Sequence, residues 1–344
     1  MSNLFHAWTH AMQSVHFNSH AIQSHALALF LMYFVYHYPW GWQNRDKLLQ
    51  PQRQKPKRKF SDEASSVATS DSSTQTSIDD DSSTMVSDDA LTRACPASTA
   101  AERKRFLAAR QGNVAAATKT LSHYLQWHQK HVDVAIQHKI VRPMTEDKDL
   151  DIWTEACQVA MRASGETGEA PLPRVIRTHT TNDGLAKPLG DKDGYRIIQI
   201  MPAQMDMTLA KSSTYALAVA LYLNLQLDRE AEERIVVCMD VRAGQGWPNT
   251  HAVRLVPFMQ QTTTLLLSLF PERLHKCLLY PVPSSFMWVW NSISKVVDPL
   301  TREKICLMCG PNKIVSPPPY EQMYQYMEAD VAHHLEGARV ASFR

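Results

Sequence analysis

Apolar and polar positions change period along this chain, and each change predicts a change of structure. From Thr99 to His131 apolar residues recur at three and four. Phe106 and Leu107 belong to one segment, and Val114, Ala117, Leu121, Tyr124, Leu125 and Trp127 follow a break at Gln111-Gly112-Asn113. That spacing lines one helix face, so two helices are expected, with a third from about Asp149 to Arg162. Past Pro173 the period shortens. Arg174 to Thr178 and Tyr195 to Met201 read as strands beside a tight turn at Asp191-Lys192-Asp193-Gly194. Met207 to Leu227 carries a helical apolar stripe, and Glu233 to Val241 (ERIVVCMDV) is an apolar run of the kind a central strand needs. Asn249 caps a further helix, kinked at Pro257 and ending at Leu269.

Ordered signals are densest between Phe270 and Gly310. Pro271 stands where a helix can begin, and Leu278 to Tyr280 is a short strand stopped by Pro281 and Pro283. Ser284 and Ser285 cap a helix from Phe286 to Val297, Asp298-Pro299 restarts one, and Ile305 to Cys309 is a second strand. On the first of these helices Phe286, Val289, Trp290, Ile293, Val296 and Val297 share one apolar face, opposite Asn291, Ser292, Ser294 and Lys295. Strands alternating with helices predict an α/β fold: a mixed sheet with helices over one face.

Before Thr99 the composition is different. Residues 1–60 lack acidic residues through residue 45 and hold the apolar run Ala26 to Tyr36, then Trp40, Trp42 and a basic collar from Lys47 to Lys59. The run is short of the ~20 apolar residues of a bilayer span. It reads as an interfacial membrane anchor, as a loose tail, or as a targeting signal. Residues 61–98 are Ser, Thr and Asp with few aromatics, the composition of a disordered linker. The expected division is thus 1–60, 61–98, a helical lobe at 99–165 and the main domain at 166–344.

Charge and motifs narrow the function. A net charge of +2 with no basic stripe argues against nucleic acid. The six cysteines are scattered, and Cys306-x-x-Cys309 has no second pair, so it reads as strand core rather than a metal site. Asp191 and Asp193 lack the calcium-loop spacing and read as a turn. No Walker loop, Gly-x-Ser-x-Gly, His-Glu-x-x-His or phosphatase loop is present, so neither enzyme, metal nor cofactor is expected.

Five motifs then occur in order: RFLAAR at 105–110, DKDG at 191–194, IVVCMD at 235–240, FPERL at 270–274 and DPLTREKI at 298–305. In this the chain resembles the CRAL-TRIO lipid-binding family, whose archetype is the fungal phosphatidylinositol/phosphatidylcholine transfer protein. The resemblance covers about residues 99–310. It implies a helical N-terminal lobe on a mixed sheet flanked by helices, enclosing a hydrophobic lipid pocket under a gate helix. It carries the phosphatidylinositol headgroup site onto Arg110, Glu272, Thr301 and Lys304. Such a set suits a phosphodiester and inositol hydroxyls. The family's phosphatidylcholine positions fall on Ile235, Val237 and Ile198, which cannot bond a choline phosphate. The gate and lining are then Phe286, Val289, Trp290, Ile293 and Val297 with those three. The family's closing tail is replaced by PPPYEQMYQYMEADVAHHLEGARVASFR, so the resemblance assigns it no packing.

The expected function is therefore non-enzymatic. The protein binds phosphatidylinositol and exchanges or presents it at membranes, with a phospholipid and a membrane surface as partners. It sits in the cytoplasm, peripheral or anchored at a membrane. Two other readings stay open: a binder of another small hydrophobe, retinoid- or tocopherol-like, and a membrane-tethered adaptor with a vestigial pocket. A lipid-kinase or trafficking partner would be unidentified.

Overall fold

Thr99 opens a helix through a reciprocal cap. Its hydroxyl accepts from the Glu102 amide, and the Glu102 carboxylate accepts from the Thr99 amide. The computed structural model describes residues 88–342 except 139, 141, 143, 167–170, 181–186, 243–251, 283, 285–286, 288–289, 292–293, 295–298 and 312–315. The expected anchor at 1–60, most of the linker and the Asn249 cap lie outside the described residues. The capped helix, α1 (Ala100–Ala108), ends where Gln111 (φ 51) and Gly112 (φ 81) take left-handed backbone, the break foreseen from QGN. Two more helices follow, α2 (Val114–Gln137) and α3 (Lys148–Ala163), the latter capped by Asp147. Phe106, Leu121 and Tyr124 form the lobe's core together with Leu91 and Cys95. Residues 88–94 are helical and Leu91 is fully buried. The fold therefore starts inside the stretch expected as linker, because Leu91 and Cys95 enter the lobe's core and Asp88 pairs with Arg103 of α1 (2.7 Å).

Five strands follow one another across a single sheet: β1 (Ile176–Thr178), β2 (Arg196–Ile200), β3 (Ile235–Asp240), β4 (Leu274–Val282) and β5 (Ile305–Cys309). β1 is antiparallel to β2, and the remaining pairs are parallel. Their crossovers run through α4 (Ser212–Gln226), α5 (Ala252–Leu269) and α6 (Pro299–Lys304). β3, buried along its whole length, is the middle strand, as its apolar run predicts.

Alternation along the strands splits the core in two. Ile198, Ile200, Ile235, Val237 and Met239 meet Trp153 of α3, Tyr215 and Tyr222 of α4, and Phe258 of α5. Ile197, Val236, Cys238, Leu278, Tyr280 and Met308 face the other way, against the C-terminal helices α7 (Tyr320–Met323) and α8 (Ala329–Ser342), through Met323, Val331, Ala332 and Leu335. Both faces are covered, where one was expected. A sheet with apolar residues on both pleats cannot leave either face wet. The unmatched tail supplies the second layer.

The 270–310 region departs from its sequence reading in two places. Pro271 starts no helix; it sits in the turn between α5 and β4. β4 begins at Leu274 and continues through Pro281, so it is three times as long as the apolar run suggested, nine residues against three. The restart at Pro299 and the strand Ile305–Cys309 fall as expected.

Two buried imidazoles give the fold a pH dependence. His179, beside Arg177 and His334, is held by burial at about 4 even though it bonds Gln199. His131, next to Lys130 and His128, is likewise held at about 4 by burial. Both are neutral in the fold, while the unfolded chain takes up these protons near pH ~6.5. Their contribution is therefore complete above that value and is lost as pH falls toward about 4. Urea midpoints are expected to drop between pH 7 and pH 5; equal midpoints would contradict the assignment.

Candidate functional site

The turn Phe270–Arg273 is locked at both ends, and Glu272 projects from between the locks. Phe270 packs on the lobe's core beside Leu107. Arg273 is buried: its guanidinium donates to the carbonyls of Glu233 (2.8 Å) and Asp228, and its own carbonyl accepts from the Ile235 amide. Between them Glu272 adopts φ 58, a left-handed conformation that costs a non-glycine residue energy. Its carboxylate lies 3.4 Å from Lys304 Nζ, with about a third of each side chain exposed (36% and 30%). Lys304 is the last residue of α6, directly before β5. The pair is long for a charge-assisted bond and open to solvent on one side, so an incoming polar group can join it.

Thr301 lies in the same short helix three residues before Lys304; its side chain lies outside the described residues. Arg110 occupies the turn after α1 and is half-buried. Burial lowers its pKa, and among the described residues its guanidinium has neither a hydrogen bond nor an ion pair. The structure thus brings Glu272 and Lys304 together and leaves Arg110 a separate cation. The Arg110 amide donates to the Leu107 carbonyl (3.1 Å), and Leu107 and Phe270 pack against the same core cluster.

The apolar floor is continuous. Ile198 pairs with Val237 across β2 and β3, and Ile235 lies two residues before Val237 on the same face; all three are buried. Leu279 joins this cluster to a second one, in which Trp290 packs with Val282, Met287, Ile305, Leu307 and Cys309. In the segment expected as a gate helix, Ser284, Met287, Trp290 and Asn291 are helical. Trp290 is buried over β4 and β5; Phe286, Val289, Ile293 and Val297 lie outside the described residues. The six cysteines are free, and burial pushes the Cys277 thiol up to about 12. That thiol is protonated and unreactive at neutral pH. Among the described residues no helix is long and apolar enough to cross a membrane.

Several residues around the site were not nominated by sequence. Arg105, its pKa pushed down to about 10 by burial and by Arg273, donates to the Ala231 carbonyl and fixes the loop ahead of β3. Its signal was present in RFLAAR, where only the second arginine was singled out.

Residues 185–337 match the CRAL/TRIO domain family. No curated protein is significantly similar to the chain in sequence. Among solved structures, the crystal structure of Sfh5 aligns with a TM-score of 0.42 and 14% identity over 68% of this chain and 82% of that one. So loose a superposition adds nothing to the assignment, which rests on the domain match. That match runs on to residue 337, beyond the stretch near residue 310 where the motifs stop.

Proposed function

We propose that this chain, which carries a CRAL/TRIO domain, is a non-enzymatic lipid-binding protein that takes up phosphatidylinositol and exchanges or presents it at a membrane surface. The observation that carries the reading is the open Glu272–Lys304 pair, held in costly left-handed backbone at one end of an apolar floor. A glutamate is kept in that conformation only where the surrounding turn enforces it, and here Phe270 and Arg273 do so.

In this reading Lys304, with Arg110, neutralises the phosphodiester, and Glu272 and Thr301 bond inositol hydroxyls. Ile198, Ile235 and Val237 offer a choline headgroup no polar partner, so phosphatidylcholine is excluded. Phe286, Val289, Trp290, Ile293 and Val297 form the door over the acyl chains. Each CH₂ taken from water is worth ~0.8 kcal/mol. The lipid leaves an equally apolar bilayer, however, so opening of the door governs exchange. The protein acts at a membrane surface, with residues 1–60 as the segment that keeps it there.

Native mass spectrometry of the purified protein is expected to show one co-purifying phosphatidylinositol per chain. In transfer assays between mixed vesicles, Lys304→Ala loses about tenfold in phosphatidylinositol transfer, the effect of ~1.4 kcal/mol, with its melting temperature unchanged. Equal extraction of phosphatidylcholine, or full transfer by the variant, would overturn the proposal. A bound retinoid- or tocopherol-like molecule in the spectrum would replace it.

A further inference from the structure

The turn Asp191–Gly194 is a turn, as its sequence suggests, but it is also one side of a ligand set that sequence spacing could not reveal. Asp191 Oδ1 accepts from the amides of Asp193 (3.0 Å) and Tyr195 (2.8 Å), which fixes that carboxylate's orientation. Gly194 (φ 82) reverses the chain, and a Cβ at Gly190 would come within 3.3 Å of the Gly194 carbonyl carbon, so the loop closes tightly on itself. Lys192, the turn's one cation, points elsewhere: its Nζ donates to the Tyr324 carbonyl (2.7 Å) and its amide to that of Tyr326 (2.9 Å).

The third donor comes from β4. His275 stands at an irregularity in the β3–β4 pairing, between the partners of Ile235 and Val236, where the extra residue re-aims its side chain. The Tyr195 ring stacks on the imidazole at 4.0 Å and holds it in place. His275 Nε2 is buried without a hydrogen-bond partner, and it lies 3.4 Å from Asp193 Oδ2. One donor atom from each of Asp191, Asp193 and His275 falls within 4.8 Å of the others. Among the described residues neither aspartate pairs with a lysine or arginine. Two carboxylates therefore lie around a buried nitrogen that makes no hydrogen bond.

We propose that Asp191, Asp193 and His275 bind a divalent transition-metal ion of the zinc class. One imidazole and two carboxylates supply the mixed N/O donors such an ion takes at about 2.0–2.2 Å. Asp193 is exposed and free to close that small distance. Three protein ligands leave a position for water or an incoming oxygen ligand. Bound there, the ion ties the turn to β4, and through Lys192 to the Tyr324–Tyr326 stretch that covers the sheet's second face. The inference is independent of which lipid the domain takes.

Equilibrium dialysis of the full-length protein against buffered Zn²⁺ tests it, comparing wild type with Asp193→Asn and His275→Gln. Fifteen histidines occur in the chain, so the difference between proteins, not the absolute zinc content, is decisive. Wild type is expected to hold one more ion per chain than either variant, with at least tenfold weaker binding at that site in both. Zn²⁺ should also raise the melting temperature of wild type alone. Equal zinc content in all three proteins overturns the site. So does a loss confined to Asp193→Asn, which would leave the histidine outside the ligand set. Asp193 is an exposed turn residue, so its variant folds and reports even if His275→Gln does not.

Discussion

Arg242→Ala is expected to cost about 3–5 kcal/mol of folding stability, the range for deleting one member of a buried ion pair. Arg242 and Asp240 each have about 1% of their side chain exposed. The guanidinium donates to both Asp240 oxygens, to the Ser316 carbonyl (2.7 Å) and to the Glu336 carboxylate. Arg339 lies 3.7 Å from Asp240 and bonds Glu336 as well. The network thus joins the end of β3 to α8 and to the 316–319 approach to α7. Without Arg242, Asp240 keeps its burial and loses the nearer of its two cations, leaving only Arg339 at 3.7 Å, so the penalty exceeds that of an exposed pair several-fold. The C-terminal helices are the part released, so limited proteolysis should cleave near residue 320 in the variant first. Urea denaturation measures the total. A loss below ~1 kcal/mol would show the network contributes little. Removing Asp240 and Arg242 together should cost less than the two single losses added, because each loss includes the other's stranded charge.

Asp149→Ala is expected to lose about 3 kcal/mol, through several buried donors at once. The Asp149 carboxylate accepts from Tyr222 Oη (2.5 Å), Gln226 Nε2 (2.5 Å), Thr178 Oγ1 (2.6 Å) and the Thr178 amide (3.2 Å), and it pairs with Arg174. It therefore ties α3 to α4 and to the edge strand β1. Burial, with that carboxylate beside it, pushes the Tyr222 phenol far up, so it stays a neutral donor at any working pH. Alanine would leave these donors facing one another, and a water entering the gap recovers only part of the loss. Asp149→Asn should fall between, since an amide accepts at one oxygen but turns two hydrogens toward donors. Amide exchange at Thr178 should accelerate more than at β3, which separates local release of the edge strand from global loss. A variant that melts with wild type would dismiss the hub.

Most of the fold can be read in the chain because its cause is local. The 3.6-residue period of α2, the apolar run of β3 and the proline at the start of α6 each act over a few residues. The misreadings are non-local. β4 runs past Pro281 because its pairing with β5 resumes at Val282, opposite Cys309. Leu91 is core because the lobe offers it a hollow. Of the four polar residues that the resemblance named, Glu272 and Lys304 form an ion pair, and Arg110 makes no hydrogen bond or ion pair to either among the described residues.

Residue order alone determined the alternation of helices and strands, the central place of β3 and the family wording of the 270–305 region. Period and propensity are written in neighbouring residues. Only the tertiary structure decided that the tail from Tyr320 covers the sheet's second face, that Asp240 and Arg242 close a buried network with Glu336, and that His275 meets Asp191 and Asp193. Those encounters join residues more than 80 positions apart or separated by a crossover. Strand register and the bulge in β4 set them, and neither is fixed by any stretch of chain short enough to be read by itself.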